Sequence, residues 1–188
     1  MAGKRQLGVL AAALLAAVAI AACSRERSVE AARDNRPPIA SPAEQDFMMK
    51  ATEADLTAIE MARLALQKST NKDVRDYANM IQSDHTSALE DLTDLMRDKN
   101  VSQPKSVPPD VKKDIVVMNG LSGPEFDREF INQMVAGHQK MIEMFQDRAA
   151  IVQDKDVKKY AEDVLPKLEM HLEKAQRLQS KLFSMPPR

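Results

Sequence analysis

The chain contains three histidines, and each falls on the apolar stripe of a predicted helix. His85, His138 and His171 lie among apolar residues whose spacings alternate between three and four, the pattern of helices that pack in a bundle. All three lie near the middle of their helices, which places the imidazoles within about one helical turn, or ~4 Å, of a common level. Neutral imidazole is a good ligand for Zn, Cu, Fe and Ni. We therefore predict one transition-metal site, for Cu or Zn, in the apolar interior.

Three acidic residues are candidates for a fourth ligand of this site. Asp84 precedes His85, while Asp55 and Glu60 lie on the first predicted helix. Asp55 stands at the level of His138, because the two are equivalent positions in the internal repeat described below. Water could also complete the coordination. The same carboxylates could instead accept hydrogen bonds from the imidazoles and fix their orientation.

Methionines adjoin two of the histidines. Met134 and Met141 flank His138, four residues before and three residues after it, and Met170 precedes His171. Thioether ligands would favour Cu(I). Methionine is also an adaptable filler of apolar cores, and spacing alone favours that interpretation.

The histidines have other interpretations. They could form a polar layer in which each ring donates to a carboxylate or a carbonyl and specifies packing without metal. Catalysis has less support, because no serine has a motif context, and we predict no catalytic residue. A di-iron centre is disfavoured, since it needs a Glu three residues before a His on each of two helices. Those places hold Gln82, Val135 and Leu168.

Two long helices are predicted in the first half of the domain. Ser41-Pro42-Ala43-Glu44 has the form of a capping box with an early proline, and the helix it begins runs to about Lys68. Asn71 caps the next helix, which runs to about Lys99. The apolar stripe of this second helix comprises Val74, Ala78, Ile81, His85, Ala88, Leu92 and Leu95.

The second half is predicted to follow the same plan after a short amphipathic helix at 109–118. Ser122-Gly123-Pro124-Glu125 resembles another capping box, before a helix to about Gln153. Asp154 caps the last helix, which runs to about Phe183 and contains Pro166. The stripes of these helices comprise Ile131, Met134, His138, Met141 and Phe145, and then Val157, Ala161, Val164, Leu168, His171, Ala175, Leu178 and Leu182.

The chain repeats itself at a spacing of 83 residues. The matching pairs are Phe47 and Phe130, Ile59-Glu60-Met61 and Ile142-Glu143-Met144, Lys72-Asp73-Val74 and Lys155-Asp156-Val157, and Tyr77-Ala78 and Tyr160-Ala161. Two copies of one amphipathic hairpin bury their stripes by packing together. The link at roughly 100–121 spans about 70 Å when extended, whereas each long helix, of about 28 residues, measures only about 42 Å. We predict an all-α, ferritin-like four-helix bundle with a long connection between its second and third helices.

The first residues have the form of a secretory signal. Lys4 and Arg5 precede an apolar stretch of 14 residues, 7–20, and small residues lead to Cys23. The sequence Ile20-Ala21-Ala22-Cys23 is similar to a bacterial lipobox, which predicts a signal peptide at 1–22 and a lipid on Cys23. An ordinary signal with an incidental cysteine is the alternative. Ser24 follows the cysteine, which favours the outer membrane over the inner membrane.

Composition limits the remaining possibilities. Apolar residues make up 44% of the chain and charged residues 29%, there is no Trp, and Gly occurs five times, all of which favours a soluble helical domain. The net charge is −1, and removal of 1–22 takes away two bases and no acid, leaving −3. This charge is not typical of nucleic-acid binding.

We expect a flexible tether at 23–40, the bundle at 41–183 and a short tail at 184–188.

Several stretches together resemble the bacterial "predicted outer membrane protein" family, domain of unknown function 4142, whose fold is a ferritin-like bundle. They are 77–86, Leu121-Ser122-Gly123-Pro124-Glu125-Phe126-Asp127, 135–139 around His138, and Leu165-Pro166-Lys167-Leu168-Glu169-Met170-His171-Leu172, within about 46–182. The resemblance implies characteristic positions at Glu60, Asp84, His85, Asp127, His138, Pro166 and His171. It implies no established activity.

Two positions depart from the pattern of this family. An acid is usual where Ala58 stands, and an acid is frequent where Gly137 precedes His138. If either acid binds or supports a metal, this chain would bind metal more weakly.

The sequence thus predicts a membrane-anchored lipoprotein that faces the periplasm and buffers or delivers a transition-metal ion. The alternative is a structural or stress-related envelope protein with a histidine layer in its core. The sequence indicates the membrane as a partner through the lipid and identifies no protein partner.

Overall fold

The computed structural model describes residues 40–184, and this part of the chain is all-helical, with five helices and no strand. The helices are α1 (Pro42–Lys68), α2 (Lys72–Asp98), α3 (Pro109–Asn119), α4 (Gly123–Ala149) and α5 (Lys155–Ser184). The predicted signal peptide, Cys23 and nearly all of the tether lie outside the described residues. None of the described helices has the length and apolarity that a membrane span requires.

The helix starts follow the predicted caps, with one exception. The capping box at Ser41 and Glu44 is formed in both directions, and Asn71 and Asp154 accept backbone N–H groups of α2 and α5. Ser122 makes no such hydrogen bond, so the second predicted capping box is wrong. Gly123, the first residue of this helix, has φ 56°, in the left-handed region that glycine adopts without strain.

Helix α4 ends at Ala149, four residues before the predicted end. The carbonyl of Arg148 accepts the N–H groups of both Ile151 and Val152, which closes the last turn. The N–H groups of Gln153 and Asp154 are taken by the Glu44 carboxylate on α1, at 3.2 and 2.9 Å. A side chain from the other hairpin therefore fixes this turn.

The two hairpins pack along their full length. Helix α1 contacts α2 and α4, and α5 contacts α4 and α2. The carboxyl-terminal half of α1 shares a core cluster with the amino-terminal halves of α2 and α4 and the carboxyl-terminal half of α5. The two tight turns consequently lie at opposite ends of the helices, and the connection 99–122 passes from the end of α2 to the start of α4 at the other end. Helix α3, within this connection, contacts α1 and α4.

The apolar core has two clusters, and the histidine layer lies between them. One cluster surrounds the 69–71 turn and includes Phe126 and Phe130; the other surrounds the 150–154 turn and includes Phe47 and Phe145. Every residue of the stripes predicted for α4 and α5 is buried. On α2 the predicted Leu95 is only partly buried, and Met96 takes its place in the core. The predicted stripe assumed an average of 3.5 residues per turn, whereas a straight helix has 3.6. By the end of α2 the difference amounts to one position, from Leu95 to Met96.

Candidate metal centre

Three imidazoles from three helices meet in the interior. His85, His138 and His171 are each at most 2% exposed. The ring centroids form a nearly regular triangle with sides of 5.3 to 5.4 Å. One ring nitrogen from each histidine lies within 4.8 Å of the other two. The three predicted ligands are therefore brought together, close enough to bind a metal ion.

His85 is held by a carboxylate from the neighbouring helix. Its Nδ1 lies 2.8 Å from Oδ1 of Asp55 on α1, and both side chains are 2% exposed. Burial raises the pKa of Asp55, and the hydrogen bond to His85 partly opposes this rise. The other ring nitrogen of His85, Nε2, lies 3.3 Å from Nε2 of His138. Asp55 thus orients the ring so that Nε2 faces the centre.

His138 is held by its own helix. Its Nδ1 donates to the carbonyl oxygen of Met134, one turn earlier, at 2.8 Å. Burial, followed by the neighbouring His85, lowers the pKa of His138 to about 3. The ring is therefore neutral at pH 7. Because a carbonyl can only accept, the proton resides on Nδ1, and Nε2 carries a free lone pair.

His171 is held by the second carboxylate. Its Nε2 lies 2.8 Å from Oδ2 of Asp84 on α2, whose side chain is 32% exposed. Burial lowers the pKa of His171 to about 4, against the opposing effect of Asp84, so this ring is also neutral at pH 7. Its Nδ1 is buried and has no hydrogen-bond partner. The backbone of the same residue is fixed by Tyr77, whose hydroxyl donates to the His171 carbonyl at 3.3 Å.

Each imidazole thus has one nitrogen engaged by an acceptor and one nitrogen left for the centre. The available nitrogens are Nε2 of His85, Nε2 of His138 and Nδ1 of His171. With metal–nitrogen bonds of about 2.0–2.1 Å, the ligands of a tetrahedral zinc site lie about 3.3–3.4 Å apart. The observed His85–His138 separation of 3.3 Å has this value already.

The acidic candidates divide into two groups. Asp55 and Asp84 both reach the site, and both contact an outer ring nitrogen. Glu60 does not reach it: its side chain is 42% exposed and pairs with Arg63 at 2.9 Å. Glu60, one of the candidates for a fourth ligand or a supporting acid, therefore lies apart from the three imidazoles. Five residues after Asp55, Glu60 points about 140° away from it around the helix axis.

Tyr160 is a neighbour of the centre that was not predicted from the sequence. Its hydroxyl is buried, and its pKa is raised by burial and by the nearby Asp55 and Asp91 carboxylates. The Tyr160 hydroxyl faces the buried Asp55 carboxylate and partly opposes the rise in the pKa of Asp55. The repeat contained a usable signal, because Tyr160 is the equivalent of Tyr77, which contacts His171.

A groove between α1, α3 and α4 leads to His138. Its volume is about 400 Å³, and its walls include Met134 and Met141, the predicted soft-ligand candidates, together with Met61 and Met144. Met134 and Met141 are buried. This groove was not predicted, because it depends on the path that α3 takes across α1 and α4.

The family model for the domain of unknown function DUF4142 matches residues 29–178. The chain belongs to this family. Among solved structures, this DUF4142 chain is similar to the crystal structure of a DUF305 fragment from Deinococcus radiodurans, with a TM-score of 0.69 and 16% identity. The match covers 77% of this chain and 99% of the fragment, and at this identity it supports the fold alone. A comparison with curated proteins found no match.

This DUF4142 chain lacks an acid at two positions where the family pattern led us to expect one, and both positions lie in the same groove. Ala58 and Gly137 both line the groove that leads to His138. A Cβ added at Gly137 would meet no atom within 4 Å. The groove is therefore open where acidic side chains were expected.

Proposed function

We propose that this protein binds one transition-metal ion, Cu or Zn, through His85, His138 and His171, and that it buffers or delivers this ion. The observation that carries the proposal is the arrangement of the ring nitrogens: three outer nitrogens are held by acceptors, and the inner ones converge. Ligating histidines are usually oriented in this way by a carboxylate or a carbonyl. Asp55 and Asp84 support the rings, and water from the groove is the fourth ligand.

A polar layer without metal explains these contacts less completely. In such a layer, the two ring nitrogens of His85 bridge Asp55 and Nε2 of His138, which satisfies two rings. Nδ1 of His171 then remains buried without a partner. A buried acceptor left unsatisfied costs about 1–3 kcal/mol. A metal ion would use all three inner nitrogens, and this favours binding over a purely structural role.

The predicted location completes the proposal. Lys4 and Arg5, the apolar stretch at 7–20 and the lipobox-like sequence ending at Cys23 support a lipoprotein that is anchored by its lipid and faces the periplasm. Ser24 supports the outer membrane. The long connection between α2 and α4 supports a ferritin-like four-helix bundle as the fold. The centre we propose is mononuclear, since the Glu-x-x-His spacings of di-iron proteins are missing from the sequence.

Metal retention tests this function. The purified protein is incubated with Cu or Zn, desalted and analysed for metal, with His138→Ala and His171→Ala variants in parallel. We expect about one equivalent in the wild type and a metal-induced rise in melting temperature that both variants lose. Asp127→Asn is the control, because it changes a buried acid outside the cluster. Retention below about 0.2 equivalents, or equal retention in the histidine variants, would contradict the proposal.

A further inference from the structure

The groove between α1, α3 and α4 has walls of an unusual composition. Four methionines line it: Met61 on α1, and Met134, Met141 and Met144 on α4. His138 lies among them, so the groove reaches one of the three imidazoles. On the opposite side of the cluster, the α2 carboxylate of Asp84 contacts His171. The cluster thus has an anionic flank and a thioether flank.

These methionines do not behave simply as core filler. A methionine that fills a gap leaves no space beside it, because protein interiors are close-packed. Here Met61, Met134 and Met141 are at most 6% exposed, yet they border a cavity of about 400 Å³. A cavity of this size has room for several water molecules. These methionines therefore border space that a small solute can occupy.

The outer part of the groove carries charges of both signs. Glu53 on α1 and Asp110 and Asp114 on α3 contribute carboxylates, and Lys50 and Lys140 contribute ammonium groups. The carboxylates are in excess by one, which favours the approach of a cation. Met61, Met134, Met141 and His138 are buried, whereas the charged residues of the groove are not. The groove thus combines carboxylate, thioether and imidazole ligand types.

From this arrangement we propose that the groove is the access path to the histidine cluster and that its methionines select a soft monovalent ion, Cu(I), during uptake. This inference rests on the proposed function of the cluster. Thioethers bind Cu(I) and have little affinity for Zn²⁺, so they speed the transfer of Cu(I) alone. The histidines then bind whichever ion arrives. The groove thus determines which metal ion enters, and the imidazoles hold the ion once it has arrived.

The kinetics of metal transfer test this separation. Cu(I) is presented as its coloured complex with bathocuproine disulfonate under reducing conditions, Zn(II) as its complex with a pyridylazo dye, and the absorbance change gives each transfer rate. The test protein carries Met61→Leu, Met141→Leu and Met144→Leu, which keep volume and remove the sulfur. The control carries Met49→Leu and Met80→Leu, which change methionines outside the groove. Circular dichroism and thermal melting confirm that both are folded.

We expect the triple variant to take up Cu(I) about tenfold more slowly than the wild type, while its Zn(II) rate and the control's rates stay within about twofold. Cu(I) transfer at the wild-type rate would overturn the proposal. Equal slowing of both metals would overturn it as well, since a loss of thioethers should not affect Zn(II).

A second variant tests the route without changing a methionine. Gly137→Leu places bulk in the groove, and Gly137→Ala is the matched control. The leucine should slow the uptake of both metals by about tenfold, and the alanine should slow neither, because access depends on the open space. Unchanged rates in Gly137→Leu would show that ions arrive elsewhere. A wild type that takes up neither metal would instead contradict the proposed function itself.

Discussion

The first hairpin, α1 with α2, and the second hairpin, α4 with α5, carry the same side chains at equivalent scaffold positions. Phe47 and Phe130 are both fully buried, one near each end of the molecule. Tyr77 and Tyr160 are both buried and both lie close to the polar centre. The repeat therefore specifies how the hairpins pack.

The two hairpins contribute different residues to the histidine cluster and its supporting acids. The first hairpin provides Asp55, Asp84 and His85, and the second provides His138 and His171. Asp55 occupies the place equivalent to His138, while Leu168 and Ala88 occupy the places equivalent to His85 and His171. One hairpin thus contributes both carboxylates, and the other contributes two of the three imidazoles. A duplicated scaffold has become asymmetric at the level where the site lies.

The largest effects are expected where the hairpins agree. Phe47→Ala and Phe130→Ala should each lower the free energy of unfolding by about 3–5 kcal/mol, because each removes a fully buried ring and leaves a cavity. The neighbouring rings Phe145 and Tyr77 lose a contact partner in each case. Urea denaturation measures both variants. A cost below about 1 kcal/mol for either one would show that the two ends are not equivalent in packing.

Acid sensitivity should come mainly from the second hairpin. Folding holds the pKa of His138 at about 3 and that of His171 at about 4, against about 6.5 in the unfolded chain. Below pH 6.5 the unfolded state therefore binds more protons, and stability falls as the pH falls. The slope is about 1.4 kcal/mol per pH unit for each histidine. Asp55 acts with the opposite sign, since its raised pKa lets the folded state bind a proton more readily.

Urea denaturation of the metal-free protein at pH 7.5 and 5.5, with chelator present, measures this effect. We expect a loss of about 2–3 kcal/mol between these pH values, with a smaller loss in His138→Phe and in His171→Leu. The same pH dependence in the variants as in the wild type would contradict this assignment. The groups that face these rings are His85, Asp84 and Lys174, so Lys174→Ala is a useful control.

A smaller difference in stability is expected between substitutions of Glu44 and of Asp127, which are equivalent positions in the repeat. Glu44 accepts the N–H groups of Ser41, Gln153 and Asp154, whereas the equivalent Asp127 is buried, has a raised pKa and leaves Oδ1 without a partner. Glu44→Ala should destabilise by about 1–3 kcal/mol, and Asp127→Asn should change stability by less than about 0.5 kcal/mol. Thermal unfolding measures both, and the reverse order would disprove the difference we infer.

The last and smallest expected change in stability comes from a substitution in the groove between α1, α3 and α4. Gly137→Ala should raise stability by about 0.5–1 kcal/mol, because alanine favours a helix and the new Cβ meets nothing within 4 Å. A loss of stability would mean that the wall of the groove is packed more tightly than the structure shows. This variant changes neither hairpin's scaffold nor the imidazoles.

The sequence predicted the parts of this structure that depend on periodicity. The spacings of three and four placed all three histidines on buried stripes, and the repeat placed Asp55 at the level of His138. It failed where a contact between distant segments decides: Glu44 ends α4 early, and α3 shapes the groove. Glu60 was a candidate because it is an acid near Asp55 on the first helix, although its angle around the helix axis turns it toward Arg63.

X-ray absorption spectroscopy of the metal-loaded protein tests the central claim most directly. For the Zn-loaded form we predict three imidazole ligands at about 2.0–2.1 Å, visible through their outer-ring scattering, and one oxygen from water. His171→Ala should lower the imidazole count to two. A loaded wild type with fewer than three imidazole ligands, or with the same spectrum in the variant, would contradict a shared ion at the meeting point of the three rings.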